Sequence, residues 1–192
     1  MLSPADVAAV MDDTGLWWAV AGGWAIDLWL GAQTRAHHDI EVILYRSEQS
    51  RLHEALDRAW ELHCIDPPGS GWRPWNGAPI EQPSFQLQAR SERGEFDVFV
   101  ETIVDSRWYF WRDARVTRTI DELVAVSTSG LPIVRPEVQL LYMAGSTDPK
   151  NQQDHDLARP TLDPQAEAWL DAAISTWRPG HPWVQGEGVS RT

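Results

Sequence analysis

Near the amino end, Val7, Val10 and Met11 recur at helical spacing behind the start signal Ser3-Pro4-Ala5-Asp6, and Gly15 stops the run. An apolar run from Trp17 to Ala21 predicts a buried strand. The pair Gly22-Gly23 then opens a short helical segment that Gly31 is placed to close in a left-handed cap. A second apolar run, Asp39 to Leu44, carries acids at alternate positions, Asp39 and Glu41. Strand side chains two apart share a face, so these carboxylates are expected to project together while Ile40 and Val42 turn into the core.

Ser47 is positioned to cap a helix with Leu52, Ala55, Leu56 and Ala59 as its buried stripe, and Glu61 to Ile65 reads as a short strand. Asp66 to Pro83 contains five prolines around Trp72 and Trp75, so an irregular surface loop is expected, either a flap over a substrate or a loop pinned by its tryptophans. Ser84 to Arg90 and Glu95 to Glu101 form a hairpin turning at Ser91-Glu92-Arg93-Gly94. On its second strand Phe96, Val98 and Val100 face one way, and Glu95, Asp97, Phe99 and Glu101 the other. Asp97 stands among apolar neighbours, an unusual place for a carboxylate. Glu95 and Glu101 read as solvated strand-end charges, with Glu95 the substitute for Asp97 should the register differ.

The segment Asp105 to Asp121 interleaves Arg107, Trp108, Tyr109, Trp111, Arg112, Arg115 and Arg118, and reads as a connector anchored by its aromatic rings. An extended piece, Leu131 to Val134, precedes a helix begun by Pro136 that carries Val138, Leu141 and Tyr142. Asp148 to Asp156 reads as a polar linker to a last helix capped by Asp163, and Gln185 to Thr192 as a frayed tail. Strands alternating with helices predict an α+β (α/β-like) fold, a mixed sheet flanked by helices. The expected division is a core over 1–125 and a small helical C-terminal part over 126–192.

Composition narrows the function. With 16 basic and 28 acidic residues the formal charge is −12, which argues against a broad nucleic-acid surface and suits a cationic substrate. Cys64 is the only cysteine, so no intramolecular disulfide forms, and it reads as a small buried hydrophobe. No apolar stretch approaches the roughly 20 residues needed to span a bilayer, and the amino end lacks the features of a signal peptide, so a cytoplasmic location is expected. The twelve tryptophans exceed what a core needs, and those in loops can wall a ring-shaped ligand.

The candidate chemistry lies between Val20 and Leu44. Gly22 and Gly23 expose backbone N–H donors at a helix start, and Asp39 and Glu41 stand opposite, a suitable arrangement for a magnesium-bound polyphosphate. No phosphate-binding Gly-x-x-x-x-Gly-Lys-Ser/Thr loop is present. His37 and His38 are adjacent and point apart on an extended chain, so they are read as positioning or structural groups, and His155 as a surface residue.

Three stretches, Gly22-Gly23-Trp24-Ala25, Thr34-Arg35-Ala36-His37-His38-Asp39-Ile40-Glu41 and Arg135-Pro136-Glu137-Val138-Gln139-Leu140-Leu141-Tyr142, resemble the nucleotidyltransferase superfamily. Within it, the chain is similar to the small bacterial aminoglycoside 2''-adenylyltransferases. The resemblance implies a magnesium ion held by Asp39, Glu41 and Asp97, and ATP phosphates resting against Gly22 and Gly23. It also implies Lys150 and Arg35 near the nucleotide, with Arg35 alternatively bracing Asp39, and Asp97 as base for a hydroxyl of an aminoglycoside-type acceptor. This sequence has Glu41 where many relatives carry aspartate, Asn151 after Lys150 where aspartate is expected, and no serine after Gly22. Two other readings stay open, a protein or RNA acceptor and a catalytically silent nucleotide-binding member of the fold.

Overall fold

A computed structural model describes residues 2–184. The expected fraying of Gln185 to Thr192 falls outside the described residues.

Helix α1 (Pro4–Thr14) starts at a capping box in which Ser3 and Asp6 satisfy each other's backbone N–H groups, and it ends on Gly15 in the left-handed conformation. Strand β1 (Trp18–Ala21) is buried at all four positions and runs straight into α2 (Gly22–Leu30), which Gly31 closes as expected. Strand β2 (Glu41–Tyr45) pairs antiparallel with β1. After α3 (Gln49–Leu56) come β3 (Glu61–Ile65), β4 (Arg73–Pro74), β5 (Gln86–Ser91) and β6 (Gly94–Glu101). A small second sheet is built from β7 (Ile103–Val104), β8 (Arg107–Tyr109) and β9 (Thr117–Thr119). The one-turn α4 (Ile120–Leu123) leads into β10 (Val124–Val126) and β11 (Pro132–Val134), and three helices follow, α5 (Pro136–Met143), α6 (Pro149–Ala158) and α7 (Pro164–Trp177).

The main sheet has the order β10-β11-β1-β2-β6-β5-β3-β4, and two of its pairings, β1 with β11 and β2 with β6, are parallel. This is the mixed α+β sheet expected from the alternation of elements. One face packs against α1 and α3 through Val7, Met11, Leu52 and Leu56, meeting Val42, Val98 and Val100. The other packs Ile43 against Leu140, Leu141, Ile174 and the aromatic pair Trp108 and Phe110. The expected boundary at 125/126 falls inside β10, which belongs to the sheet.

Two local expectations are overturned, and a choice left open between two readings of a loop is decided. Ser47 lies inside a short 3-10 turn, Arg46–Glu48, instead of capping α3, and Ala55 and Ala59 are exposed because α3 is too short to need a wider stripe. The polar segment Asp148 to Asp156 is no linker: Asp148 caps it by accepting the Lys150 N–H, Pro149 takes the first helical position, and it folds as α6. Its pattern hid the helix because the buried face of α6 carries Asn151 and Asp154, polar groups satisfied inside the protein. The loop 66–83 is pinned, not a flap. Strand β4 adds it to the far edge of the sheet, and Trp75 is buried with its indole N–H donated to the Ala78 carbonyl at 2.7 Å. Among the described residues no helix is long and apolar enough to cross a membrane.

Candidate active site

A cavity of about 520 Å³, a size suited to a cofactor or drug-sized ligand, lies over the β2–β6 face with α5 and α6 against it. Glu41 opens β2, and the parallel pairing places it opposite Asp97 of β6, so the two carboxylates stand side by side on one face. Glu41 lines the cavity; Asp97 flanks it behind Glu41, held by its own N–H to the Ile40 carbonyl at 2.8 Å and by Gln88, whose amide donates to Asp97 Oδ1 at 2.7 Å. Asp39 precedes the strand instead of sitting on it, and it is exposed at the cavity rim. Burial, reinforced by Asp39 and Asp97, pushes Glu41 up to about 7. Burial likewise raises Asp97 to about 6, against the opposing effect of the Gln88 hydrogen bond.

On the other side of Glu41 the chain leaves β1 through Gly22, whose φ of +66° needs a residue without a β-carbon. A methyl there would lie 1.6 Å from Glu41 Oε2, so the turn and the carboxylate are fitted to each other. The Gly22 N–H donates to Gln139 Oε1 of α5 at 2.9 Å, so it is already engaged; of the two N–H groups expected to be bare, this one is not. Gly23 is equally confined, since a methyl on it would meet the Arg35 guanidinium at 2.0 Å.

Arg35 braces neither Asp39 nor open space. Its Nε and one terminal nitrogen bind both oxygens of the fully buried Asp154, at 2.9 and 2.8 Å, and the other terminal nitrogen reaches the Ala36 carbonyl and His37 Nδ1. His37 is buried, stacked on Trp24, and its Nε2 meets Asp27 Oδ2 at 2.5 Å, while Asp27 Oδ1 accepts from the Thr34 hydroxyl and N–H. This network fixes the 34–37 loop beside Gly23 and makes His37 structural, as expected. His38 is exposed at the rim. Lys150 is exposed on the first turn of α6, lines the cavity and approaches only Asp148, at 3.7 Å. His155 is not a surface residue: its side chain is 12% exposed and stacks on Trp183, because α6 is a helix packed on the chain that follows.

The far end of the cavity is aromatic. Phe85 stacks on Trp111 with ring centroids 4.8 Å apart and meets Phe99 edge-on at 5.6 Å, and Tyr142 and Met143 of α5 close the wall. The Arg112 guanidinium lies 4.3 Å from the Trp111 ring centroid. Glu101 is not a solvated strand-end charge. It is 4% exposed, one oxygen accepting from the Trp108 indole at 2.9 Å and the other from the Tyr142 hydroxyl at 2.7 Å. The strand continues as a buried segment toward the second sheet, whose rings cover its end. Glu95 is exposed and pairs with Arg90, as expected of a solvated charge.

A family model described as aminoglycoside-2''-adenylyltransferase matches residues 5–62, the segment that carries Gly22, Gly23, Arg35, Asp39 and Glu41. Solved structures share the architecture. The lincosamide antibiotic adenylyltransferase LnuA, lincomycin-bound, superposes with a TM-score of 0.60 at 14% identity, over 84% of this chain and 99% of that one. The complex of ANT(2'')-Ia with adenylyl-2''-tobramycin gives 0.60 at 17% identity, over 89% and 94%. The chain has the nucleotidyltransferase fold. A search of curated proteins finds no match.

In the nucleotidyltransferase fold of this chain, the residues brought together from the sequence reading are Gly22, Gly23, Arg35, Asp39, Glu41 and Lys150 around the cavity, with Asp97 beside Glu41. Among the described residues, no three His, Cys, Asp or Glu side chains are gathered in metal-ligating positions; what the register fixes is the pair Glu41–Asp97. Sequence reasoning missed Gln139, Glu101, Phe85, Trp111 and Arg112. A signal existed for Gln139, Tyr142 and Met143, which recur at helical spacing behind Pro136 and share one face. Arg112 beside Trp111 had only composition to mark it.

Proposed function

We propose that this protein transfers a nucleoside monophosphate, AMP from ATP, to a hydroxyl of a small antibiotic-like molecule in the cytoplasm. The observation that carries the reading is the pairing of Glu41 with Asp97 against the Gly22 turn, within a fold shared with antibiotic adenylyltransferases. The residues fit a hard divalent cation: the donors are all oxygen, and no protein group donates a hydrogen bond to Asp39 or Glu41 among the described residues. Asp39, Glu41 and Asp97 would hold magnesium. Bound there, magnesium supplies charge neutralisation at the attacking and leaving oxygens.

The chain's own groups do the rest. Gly23 at the start of α2 and Lys150 form the anion-facing end that orients the triphosphate, with the Arg35 charge beside them held in place by Asp154. Asp97, raised to about 6 and steadied by Gln88, accepts the proton of the acceptor hydroxyl as its oxygen bonds to the α-phosphorus. The bond from that phosphorus to the bridging oxygen breaks in the same displacement, and pyrophosphate leaves toward the glycine turn. Incubation with labelled ATP, magnesium and a panel of aminoglycosides and lincosamides tests this. A mass gain of one AMP on an acceptor is the expected result, and no transfer together with no binding of a non-hydrolysable ATP analogue at millimolar concentration would sink it.

A further inference from the structure

The aminoglycoside expectation rested partly on the overall charge of −12, yet that charge is not in the cavity. Its lining carries three carboxylates, Asp39, Glu41 and Glu101, against Arg35, Arg112 and Lys150. Two of those carboxylates belong to the metal end. The third, Glu101, is 4% exposed and turned to Trp108 and Tyr142, from which its oxygens accept. Beyond Ile43, then, no carboxylate of the lining is open to a polycation among the described residues. What is open is Arg112, which lines the cavity with its guanidinium against Trp111 and makes no hydrogen bond or ion pair among the described residues.

Position decides which ligand this end receives. Gly22 and Gly23 lie on the β1 side of Glu41, and Phe85, Phe99 and Trp111 lie on the β5–β6 side. In-line displacement puts the acceptor opposite the departing pyrophosphate, hence at the aromatic end. Phe99 is two residues along the strand from Asp97, roughly 7 Å at the usual strand rise, about the length of one ring.

We propose that the aromatic end is an acceptor chamber for a ring-bearing alcohol with a single anionic or carbonyl group, held by apolar contact with Phe85, Phe99 and Trp111 and by a charge-assisted hydrogen bond from Arg112, and that it disfavours polycationic aminoglycosides. The acceptor assignment rests on the nucleotidyl-transfer reading; the chemistry of the chamber does not.

Calorimetry on the full chain tests it with 4-nitrophenyl β-D-glucuronide, its uncharged glucoside counterpart, and tobramycin. The glucuronide is expected to bind at least tenfold more tightly than the glucoside, and tobramycin more weakly than either. Arg112→Gln should equalise the two glycosides, and Trp111→Ala should weaken both by a similar factor. Tobramycin binding more tightly than the glucuronide in the unaltered protein would overturn the proposal even if neither variant folds. With magnesium and a non-hydrolysable ATP analogue present, the glucuronide should still bind. Displacement by the analogue would mean that the chamber holds the nucleobase and would overturn the acceptor assignment. Glucuronide preference with no nucleotide binding at all would remove the nucleotidyl-transfer reading and leave the ring-and-anion chamber standing.

Discussion

Asp97 separates a chemical role from a structural one most sharply. As the base it acts in the transition state, so Asp97→Asn is expected to lower kcat by roughly two to four orders of magnitude while ATP affinity stays within about tenfold. Glu95→Gln, two residues away on the same face but exposed and paired with Arg90, is the control and should leave turnover within a factor of about two. Steady-state kinetics on both variants checks this, and the reverse pattern would assign the third carboxylate to Glu95. These acids were legible because strand alternation is a strong constraint: a face holding Asp97 and Phe99 opposite Phe96 and Val98 allows only one register. Glu101 misled because alternation gives a side chain's face and not its depth. Only the placement of the second sheet, which depends on distant residues, told a buried acceptor for Trp108 and Tyr142 from a solvated charge.

At the scale of elements, the junction of β1 with α2 is the sharpest constraint in the molecule. Gly15 and Gly22 both have left-handed φ, but a methyl at Gly15 meets nothing within 4 Å, whereas at Gly22 it would overlap the Glu41 carboxylate. Gly15→Ala should therefore cost about 1 kcal/mol, the penalty of the conformation alone. Gly22→Ala should cost about 2–4 kcal/mol, adding overlap in a packed site, and should abolish turnover. Urea denaturation compares the two. A second prediction concerns the tie between α6 and the loop before β2. Replacing Asp154 with alanine leaves the half-buried Arg35 charge without its bidentate partner and is expected to cost about 3–5 kcal/mol. The helix α6 itself was illegible as a helix for the same reason: its inward face is Asn151 and Asp154, and periodicity analysis counts only apolar residues.

For the whole molecule, the proposed metal would compete with protons for the same carboxylates. The folded-state values of Glu41 and Asp97, about 7 and about 6, lie above the usual carboxylate range. The stability these two groups contribute is thus fully present below about pH 4, where they are protonated in the unfolded chain too, and is lost as pH rises through 6 to 7. On the proposed reading, magnesium would replace those protons. Magnesium with an ATP analogue, at about 100 times its Kd, should stabilise by roughly 2.7 kcal/mol and raise Tm by about 5–10 °C in a domain of this size. Magnesium alone should raise Tm more at pH 8 than at pH 5.5. Thermal unfolding in the two buffers checks this, and a larger shift at the lower pH would exclude these carboxylates as ligands.

The parallel pairing of β1 with β11 has a consequence for how the chain is made. Val20 is matched to Ile133, so the strand that carries the glycine turn is synthesised more than a hundred residues before its neighbour on that side. Gly22 waits as long for Gln139, and Arg35 for Asp154. During that interval the newly made β1 is an edge strand with unpaired backbone groups, buried in the finished protein but bare on the ribosome. Elongation at about 5–20 residues per second makes the exposure last some 5–20 seconds. A nascent chain stalled near residue 125 would hold both paired carboxylates and still lack the strand that closes the sheet behind them, leaving a sticky half-sheet for chaperones or a second nascent chain to cover.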